Sequence, residues 1–445
     1  MRIMLDIPLS LCLIIEAMGR DATGYPDVTI YAICTDSREC EDGDLFFSLA
    51  KEKADRKRYA SDAVAVGAYA VCDDAAFIEV ENTEVALLRL AGYYKSRLRR
   101  LIKTVGITGS VGKSTVTRYT ARMLSLSYVV ASTIGNFNNR IGISLSILSA
   151  RADTEVLVLE MGMNHAGEIA KMAEVIRPEI CIVTCIGNAH IGNLGTRAAI
   201  RDAKCEIITK DREAVICPSV EPLLSDIPHR ISLSVENDDA DIMLIGNGKD
   251  FSIKTPDGVI GGIELSVIGK HNRYNALIAS TVCLLLGFSG DGVRRGLVRL
   301  GNGISNGKIS TCGGITLIDD TYNSSPEAAY AMLEVLREYP SPYIGILGDM
   351  LELGEMAREF HYGLGRRAAF LDKLYAVGEY GEDIARGAIE GGIDPLAVSV
   401  IQDIETSGLA DIVLDGLLCG TIFIKGSHAT GLSLLAKNIR ERIEK

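Results

Sequence analysis

Several things this sequence lacks narrow its class first. No CxxC pair occurs among its 11 cysteines, which are scattered from Cys12 to Cys419. A zinc ribbon or a disulfide framework is therefore not indicated, and an odd set of thiols fits a reducing cytoplasm. There is no basic excess: 46 Lys and Arg stand against 58 Asp and Glu, a net charge of −12. Nucleic-acid binders usually carry a basic face, so that class loses ground. An acidic enzyme with an anionic substrate must instead concentrate positive charge locally. No long uncharged apolar run occurs. The opening MRIMLDIPLSLCLIIEAMG carries Asp6, Pro8 and Glu16. It is too short to span a bilayer and too interrupted for a signal peptide, so it is expected to start a folded domain. Internal repeats and low-complexity tracts are also missing.

What is present is ample core-forming material. The 445 residues are 47% hydrophobic and 23% charged, a length that suggests about two to four domains. Short apolar runs such as TIYAICTDS and GDLFFSL predict a small α/β domain over residues 1–100. Residues 84–101 look helical, with a basic end. Strands then alternate with helices (KTVGITGS, EVLVLEMG, EICIVTCIG), which predicts a mainly parallel, two-sided sheet in a central domain, 101–302. A weaker β-like stretch covers 214–268, and a helix starts near His271. A second alternating pattern (ITLIDDTYN, YIGILGDM, LYAVG, TIFIKGS) predicts a Rossmann-like third domain, 303–445. Open α/β sheets bind ligands at strand ends, where its Asp-rich and glycine turns fall.

The sharpest motif is Thr108-Gly109-Ser110-Val111-Gly112-Lys113-Ser114-Thr115, placed between a strand and a helix. Glycines let backbone N–H groups turn toward phosphate oxygens, and the helix start adds its positive dipole end. Lys113 is suited to the terminal phosphates and the Ser114 hydroxyl to Mg²⁺. The strict GxxxxGK[ST] spacing is not met, because position 107 is Ile. Glu160 ends a strand, His190 follows another, and Lys204 falls on a later helix. Ends of adjacent parallel strands share one sheet edge, so Glu160 and His190 could ligate a second metal ion. Taken singly, such a His is as readily a packing residue, and such a Lys a solvated one.

In order along the chain, TGSVGKST, GNFNNRIG (135–142), LEMGMNHAGEI (159–169), IGNAHIGNLGT, AKCEI, GKHNRYNAL (269–277), DDTYNSSP (319–326) and LGDMLELGEMAREFH (347–361) resemble the Mur ligases. The resemblance spans nearly the whole chain. NFNNRIG, DDTYNSSP and GDMLELG look like the branch that adds D-alanyl-D-alanine to UDP-MurNAc-tripeptide.

The resemblance implies an ATP-dependent amide ligase working through an acyl phosphate. Its three domains would take the UDP-sugar acyl substrate, ATP and the amine, in that order. It implies ATP and two Mg²⁺ ions, one on Ser114, the other on Glu160, His190 and a carbamylated Lys204. Lys113, Lys204, His190 and Glu160 would carry catalysis. The nucleotide would meet Thr108, Gly109, Ser110, Gly112, Ser114 and Thr115, with Asn272 and Asn275 at adenine. Lys308, Asp320 and Tyr322 would meet it from the third domain. Ser37, Arg38, Asn138, Asn139, Asn323, His361, Lys425 and Ser427 would contact the acyl or dipeptide substrates. It further implies a cytoplasmic protein, monomeric and without nucleic-acid or membrane partners. From the residues alone, Asn272 and Asn275 could equally cap their helix, Asn138 and Asn139 could form a polar turn, and Asp319-Asp320 a turn with a cap.

The chain departs from the family in places. The glycine-rich element with DGH is replaced by Ala50-Lys51-Glu52-Lys53-Ala54-Asp55-Arg56-Lys57-Arg58-Tyr59. Its five cations could grip an anion or form a solvated basic loop. Gly307-Lys308 stands for GR, His428 follows the final KGS where arginine is common, and Arg140 stands where acid is frequent. There is no DNPR motif, which disfavours the diaminopimelate-adding branch. These changes leave room for a paralogue that ligates a different peptide or amino acid, or for a non-catalytic nucleotide-binding regulator.

Overall fold

A computed structural model describes residues 1–236, 239–247, 250–265, 267, 269–300, 308–402 and 408–444. The expected boundary at 302–303 lies outside them, as does Gly307. The chain falls into two compact units. The first holds Met1–Thr108, Thr120–Val183 and Ala203–Ile216. The second holds Gly109–Tyr119, Thr184–Asp202 and Cys217–Lys445.

The first unit contains two sheets. Strands β1 (Arg2–Ser10), β2 (Thr29–Cys34), β3 (Leu45–Phe47), β4 (Tyr69–Cys72) and β5 (Ile78–Glu79) lie side by side in that order. The β1–β2 pair is antiparallel and the rest are parallel. The opening stretch is thus strand β1 followed by helix Leu11–Ala17, whose Leu11, Ile14 and Ile15 are fully buried. The second sheet is built of β6 (Lys103–Thr108), β7 (Val130–Ser132), β8 (Val156–Glu160), β9 (Ile180–Val183) and the start of β10 (Ala214–Pro218). Its order is β7-β8-β6-β9-β10, parallel throughout. All five residues of β8 are buried, as expected of a strand covered on both faces. Tyr94, on helix Thr83–Arg97, is fully buried; its hydroxyl donates to Ala150 O (3.0 Å) and accepts from Ile7 N–H (3.2 Å).

The 50–59 segment is not a loop. Lys53–Ala65 is helical, and three of its cations are answered inside the unit. Arg56 forks onto Asp73 (3.0 and 2.8 Å), Lys57 meets Asp74 at 3.1 Å and Arg58 meets Asp55 at 2.9 Å. Asp55 and Arg58 stand three residues apart, a spacing at which side chains meet on a helix surface.

In the second unit, β10 ends and its continuation pairs onward: Ser219 N–H donates to Leu233 O (3.0 Å). Strands β11 (Arg230–Ser234), β12 (Ile242–Asn247), β13 (Asp250–Thr255) and β14 (Gly258–Glu264) follow side by side, parallel once and then antiparallel. A further sheet holds β15 (Lys308–Cys312), β16 (Ile315–Asp320), β17 (Tyr343–Leu347), β18 (Lys373–Val377), β19 (Val398–Ile401) and β20 (Gly420–Lys425). Its order is β15-β16-β20-β17-β18-β19. Only β15–β16 is antiparallel. That hairpin turns on Gly313 (φ 58°) and Gly314 (φ 86°), the positive φ pair that a two-residue turn needs. Strand alternation separates two cores: Leu317, Ile422 and Ile424 face one, Ile318 and Phe423 the other.

Helix and strand positions match the sequence reading closely, in a mixed α/β fold whose sheets are mostly parallel. No described helix is long and apolar enough to cross a membrane. All eleven cysteines are free thiols.

Candidate active site

The phosphate loop opens at Gly109, in the second unit. Gly109 (φ 141°) and Gly112 (φ 91°) adopt backbone conformations open to glycine. Space excludes side chains there too. A Cβ on Gly109 would sit 1.9 Å from Thr184 Oγ1, and one on Gly112 would sit 2.9 Å from Asn275 Oδ1. The loop is anchored on the segment after β9. Ser110 N–H donates to Cys185 O (3.0 Å), Gly187 N–H to Ser110 Oγ (2.8 Å), and Thr184 Oγ1 to Val111 O (2.5 Å). Val111 N–H points at Cys185 Sγ (3.3 Å).

The amides of Ser110 and Val111 are therefore committed to the protein. An anion would be met by the amides of the helix start, Gly112 to Thr115, which have no acceptor within the helix Lys113–Leu124. Lys113 curls back over the loop, its Nζ 2.9 Å from Gly109 O and 3.4 Å from Ser110 O. Ser114 and Thr115 follow on the first turn.

Asn272 and Asn275 are both buried on helix Lys270–Leu285. Asn275 lies against the phosphate loop, its Oδ1 2.9 Å from where a Cβ on Gly112 would fall.

His190 sits in the left-handed region (φ 67°), and so does Glu352 (φ 63°). Their side chains meet at 2.6 Å, His190 Nδ1 to Glu352 Oε2, and Gly192 N–H donates to Glu352 O (3.1 Å). Two non-glycine residues in a sparsely populated conformation thus face each other. Glu352 was missed by sequence reasoning; only its place in GDMLELG hinted at it. Glu327 was missed as well. Its Oε1 accepts from Asn188 N–H (2.8 Å) and Asn188 Nδ2 (2.6 Å), on the loop that leads to His190.

The sheet β15–β20 gathers another set. Lys425, at the end of β20 and only 2% exposed, pairs with Asp320 at the end of β16 (2.7 Å) and donates to Asn323 O (2.8 Å). Two residues expected to contact ligands thus contact each other, while Tyr322 and Asn323 are exposed beside them. His271 lies within electrostatic range of both Asp320 and Lys425, and burial pushes its pKa down. Ser427 is buried: its N–H donates to Asp349 O and its Oγ accepts from Leu351 N–H. Lys308 begins β15, but its side chain is outside the described residues.

His361 is not available to a dipeptide in this structure. It is fully buried, Nε2 accepts from Met350 N–H (2.8 Å), Nδ1 bonds Ala357 O (2.6 Å), and the ring stacks on Tyr380 at 4.4 Å. Its role here is to hold the turn after β17. Asp349 supports the same turn by accepting from the N–H groups of Glu379 (2.9 Å) and Tyr380 (3.0 Å).

In the first unit, Thr108 and Glu160 end the neighbouring strands β6 and β8, both buried. Asn138 Nδ2 donates to Glu160 Oε1 (2.8 Å), and Glu160 N–H donates to Thr133 Oγ1 (2.7 Å). The other carboxylate oxygen, Oε2, is buried and has no hydrogen-bond partner among the described residues. Such an orphaned hard oxygen suits a divalent cation. Lys204 closes helix Arg197–Cys205 and is 1% exposed, a position where a lysine needs its charge compensated or removed. Among the described residues no three His, Cys, Asp or Glu side chains gather for a metal. Asn139 caps helix Arg140–Leu148 by accepting from Gly142 N–H (2.9 Å). Half-buried Ser37 and exposed Arg38 lie on the one-turn helix Ser37–Glu39, where Arg38 holds the Asp36 carboxyl well below the usual range.

Comparison with known proteins assigns the class. The Mur ligase middle domain model matches residues 107–283, and the Mur ligase glutamate ligase domain model matches 308–415. The chain belongs to the Mur ligase family and is an ATP-dependent ligase. It is 33% identical over 389 residues to the UDP-N-acetylmuramoyl-tripeptide–D-alanyl-D-alanine ligase of Bacillus subtilis, covering 82% of this chain and 84% of that protein. Among solved structures it resembles MurF from Acinetobacter baumannii (TM-score 0.87, 27% identity, 99% and 100% of the two chains). It also resembles MurF from Thermotoga maritima in complex with ADP (TM-score 0.82, 25% identity, 93% and 97%).

Proposed function

We propose that this chain joins D-alanyl-D-alanine to UDP-MurNAc-tripeptide at the expense of ATP, as a cytoplasmic monomer. The observation that supports it most is the phosphate loop, whose glycines admit no side chain and whose helix start presents amides with no acceptor inside the helix. The names of its relatives supply the substrates.

In this reading the amides of Gly112 to Thr115 and the Lys113 ammonium hold the triphosphate. Lys113 leaves its own loop carbonyls to do so. The tripeptide carboxylate attacks the γ-phosphorus, a C–O–P bond forms, and ADP leaves. The dipeptide amine attacks the acyl carbon, loses a proton, and the acyl–oxygen bond breaks to release phosphate. Positioning and charge neutralisation carry such a transfer. Ser114, Glu160, His190 and a carbamylated Lys204 would hold two Mg²⁺ ions, which when bound neutralise phosphate charge. Asn138 orients Glu160, and Glu352 fixes the His190 ring. Residues 1–100 would receive the UDP-sugar, 101–302 the ATP, and 303–445 the amine, with Asp320, Tyr322, Asn323, Lys425 and Ser427 on that side.

The test is ADP release with UDP-MurNAc-tripeptide and D-alanyl-D-alanine against a panel of other acids and amines. The expected result is ADP only with that pair. Silence with it, alongside turnover of another acid, would replace the substrate and keep the ligase. That second reading is favoured by one observation: the helix at 53–65 pairs Arg56, Lys57 and Arg58 internally where the family carries DGH.

A further inference from the structure

The first unit holds a cationic cavity whose lining includes none of the residues assigned above to the ligase reaction. It measures about 790 Å³ and lies among helix Thr83–Arg97, the start of helix Arg140–Leu148 and the end of helix Glu168–Ile176. Val85, Leu101 and Val175, each only partly buried, give it an apolar floor. Five cations line it, Arg89, Lys95, Arg140, Lys171 and Arg177, against one lining carboxylate, Glu174. In a chain of net charge −12 such a concentration has to be accounted for.

The fold accounts for part of it. Lys95 Nζ donates to Ile176 O (2.5 Å), Arg89 Nη1 to Met18 O (3.0 Å), and Arg140 pairs with Glu84 at 3.1 Å. Arg177 Nε reaches Glu174 O (3.3 Å) and lies 3.8 Å from Asp211. These contacts leave most donors over, since a guanidinium has five and an ammonium three. Lys171 makes no ion pair among the described residues. Neither do Arg97, Arg99 and Arg100, which flank the cavity-lining Leu98 and Leu101 in sequence.

Two further observations concern the shape. Gly92 lets the helices approach so closely that a Cβ there would be 2.5 Å from Val175 Cγ1. Arg177 adopts φ 49°, a conformation uncommon for a side-chain-bearing residue, which ends its helix at the cavity mouth. Burial lowers the pKa of Lys95, a shift that a bound anion would oppose.

We propose that this cavity binds a small organic anion, a phosphate or carboxylate carried on a compact apolar body. The floor takes the body, and Arg89, Lys95 and Lys171 take the charge. The site shares no lining residue with the phosphate loop and stands whether or not the substrate assignment above holds.

The test is calorimetric titration of the full chain, with AMP-PNP saturating the nucleotide site. The probes are phenyl phosphate, benzoate and inorganic phosphate. The expected result is saturable one-to-one binding of phenyl phosphate or benzoate, about tenfold tighter than inorganic phosphate. Which of the two binds identifies the anionic group. Lys171→Glu, at an exposed position, should weaken it at least about tenfold and leave the KM for ATP unchanged; Arg89→Gln should act in the same direction. Absence of saturable binding by both aromatic anions, affinity no better than that of inorganic phosphate, or binding that both variants leave intact would overturn the proposal.

Discussion

Gly109→Ala isolates the phosphate loop better than any substitution of a charged group, because it changes no chemistry that could touch the nucleotide. The new Cβ would lie 1.9 Å from Thr184 Oγ1 and 3.0 Å from Thr184 Cβ. An ordinary contact is about 3.5 Å, so the loop must retreat by roughly 1.6 Å. Thr184 cannot swing away freely, since its hydroxyl donates to Val111 O in the same loop. The backbone at φ 141° adds strain of about 1–3 kcal/mol for an alanine. A displacement of that size misplaces the amides of Gly112 to Thr115, and a 1 Å error can cost about 100-fold. Titration of a fluorescent ADP should therefore show affinity reduced by roughly two orders of magnitude, and urea unfolding a loss of about 1–3 kcal/mol. Thr184→Ala removes the clashing oxygen, so the double variant should recover about 1 kcal/mol relative to additivity. Wild-type ADP affinity in Gly109→Ala, or strict additivity in the cycle, would refute the reasoning.

Other expectations test other parts. Tyr94→Phe leaves Ala150 O and Ile7 N–H without their partner inside the first unit; urea titration should show a loss of about 1–3 kcal/mol with turnover unchanged. Asn138→Ala frees Glu160 Oε1 and should lower kcat about tenfold or more while leaving the urea midpoint near wild type; equal activity would remove Asn138 from the site. Burial holds the rings of His361 and His271 below their ordinary 6.5. The unfolded chain then binds more protons below that value, so this stability is complete above about pH 6.5 and is lost as pH falls through the folded values. Unfolding followed from pH 7.5 to 5 should slope downward with acid. His361→Gln should flatten part of that slope, and an unchanged slope would discount His361.

Local patterns in the sequence carried much of this fold. Strand β6, the glycine turn and the helix from Lys113 form one contiguous signal, and so do β8 ending at Glu160 and β20 ending at Lys425. Each combines a buried apolar run with a turn residue at a strand end. Less legible were contacts made between distant segments. Nothing near Glu352 announces that it pairs with His190, and nothing near Asp320 announces Lys425. Such pairs depend on which strands become neighbours. The helix at 53–65 was obscured for another reason: its dense charge reads as solvated loop until Asp73 and Asp74 are brought beside it. The commitment of the Ser110 and Val111 amides to Cys185 could not be foreseen either, since it is set by the backbone path after β9.

Transfer of the γ-phosphoryl group to a carboxylate is the step on which the proposed reaction rests. Turnover of acyl substrate labelled with ¹⁸O in its terminal carboxylate, followed by mass spectrometry of the products, tests this directly. One labelled oxygen should appear in each inorganic phosphate released, with ADP unlabelled. Label found in AMP, or phosphate released without label, would contradict it.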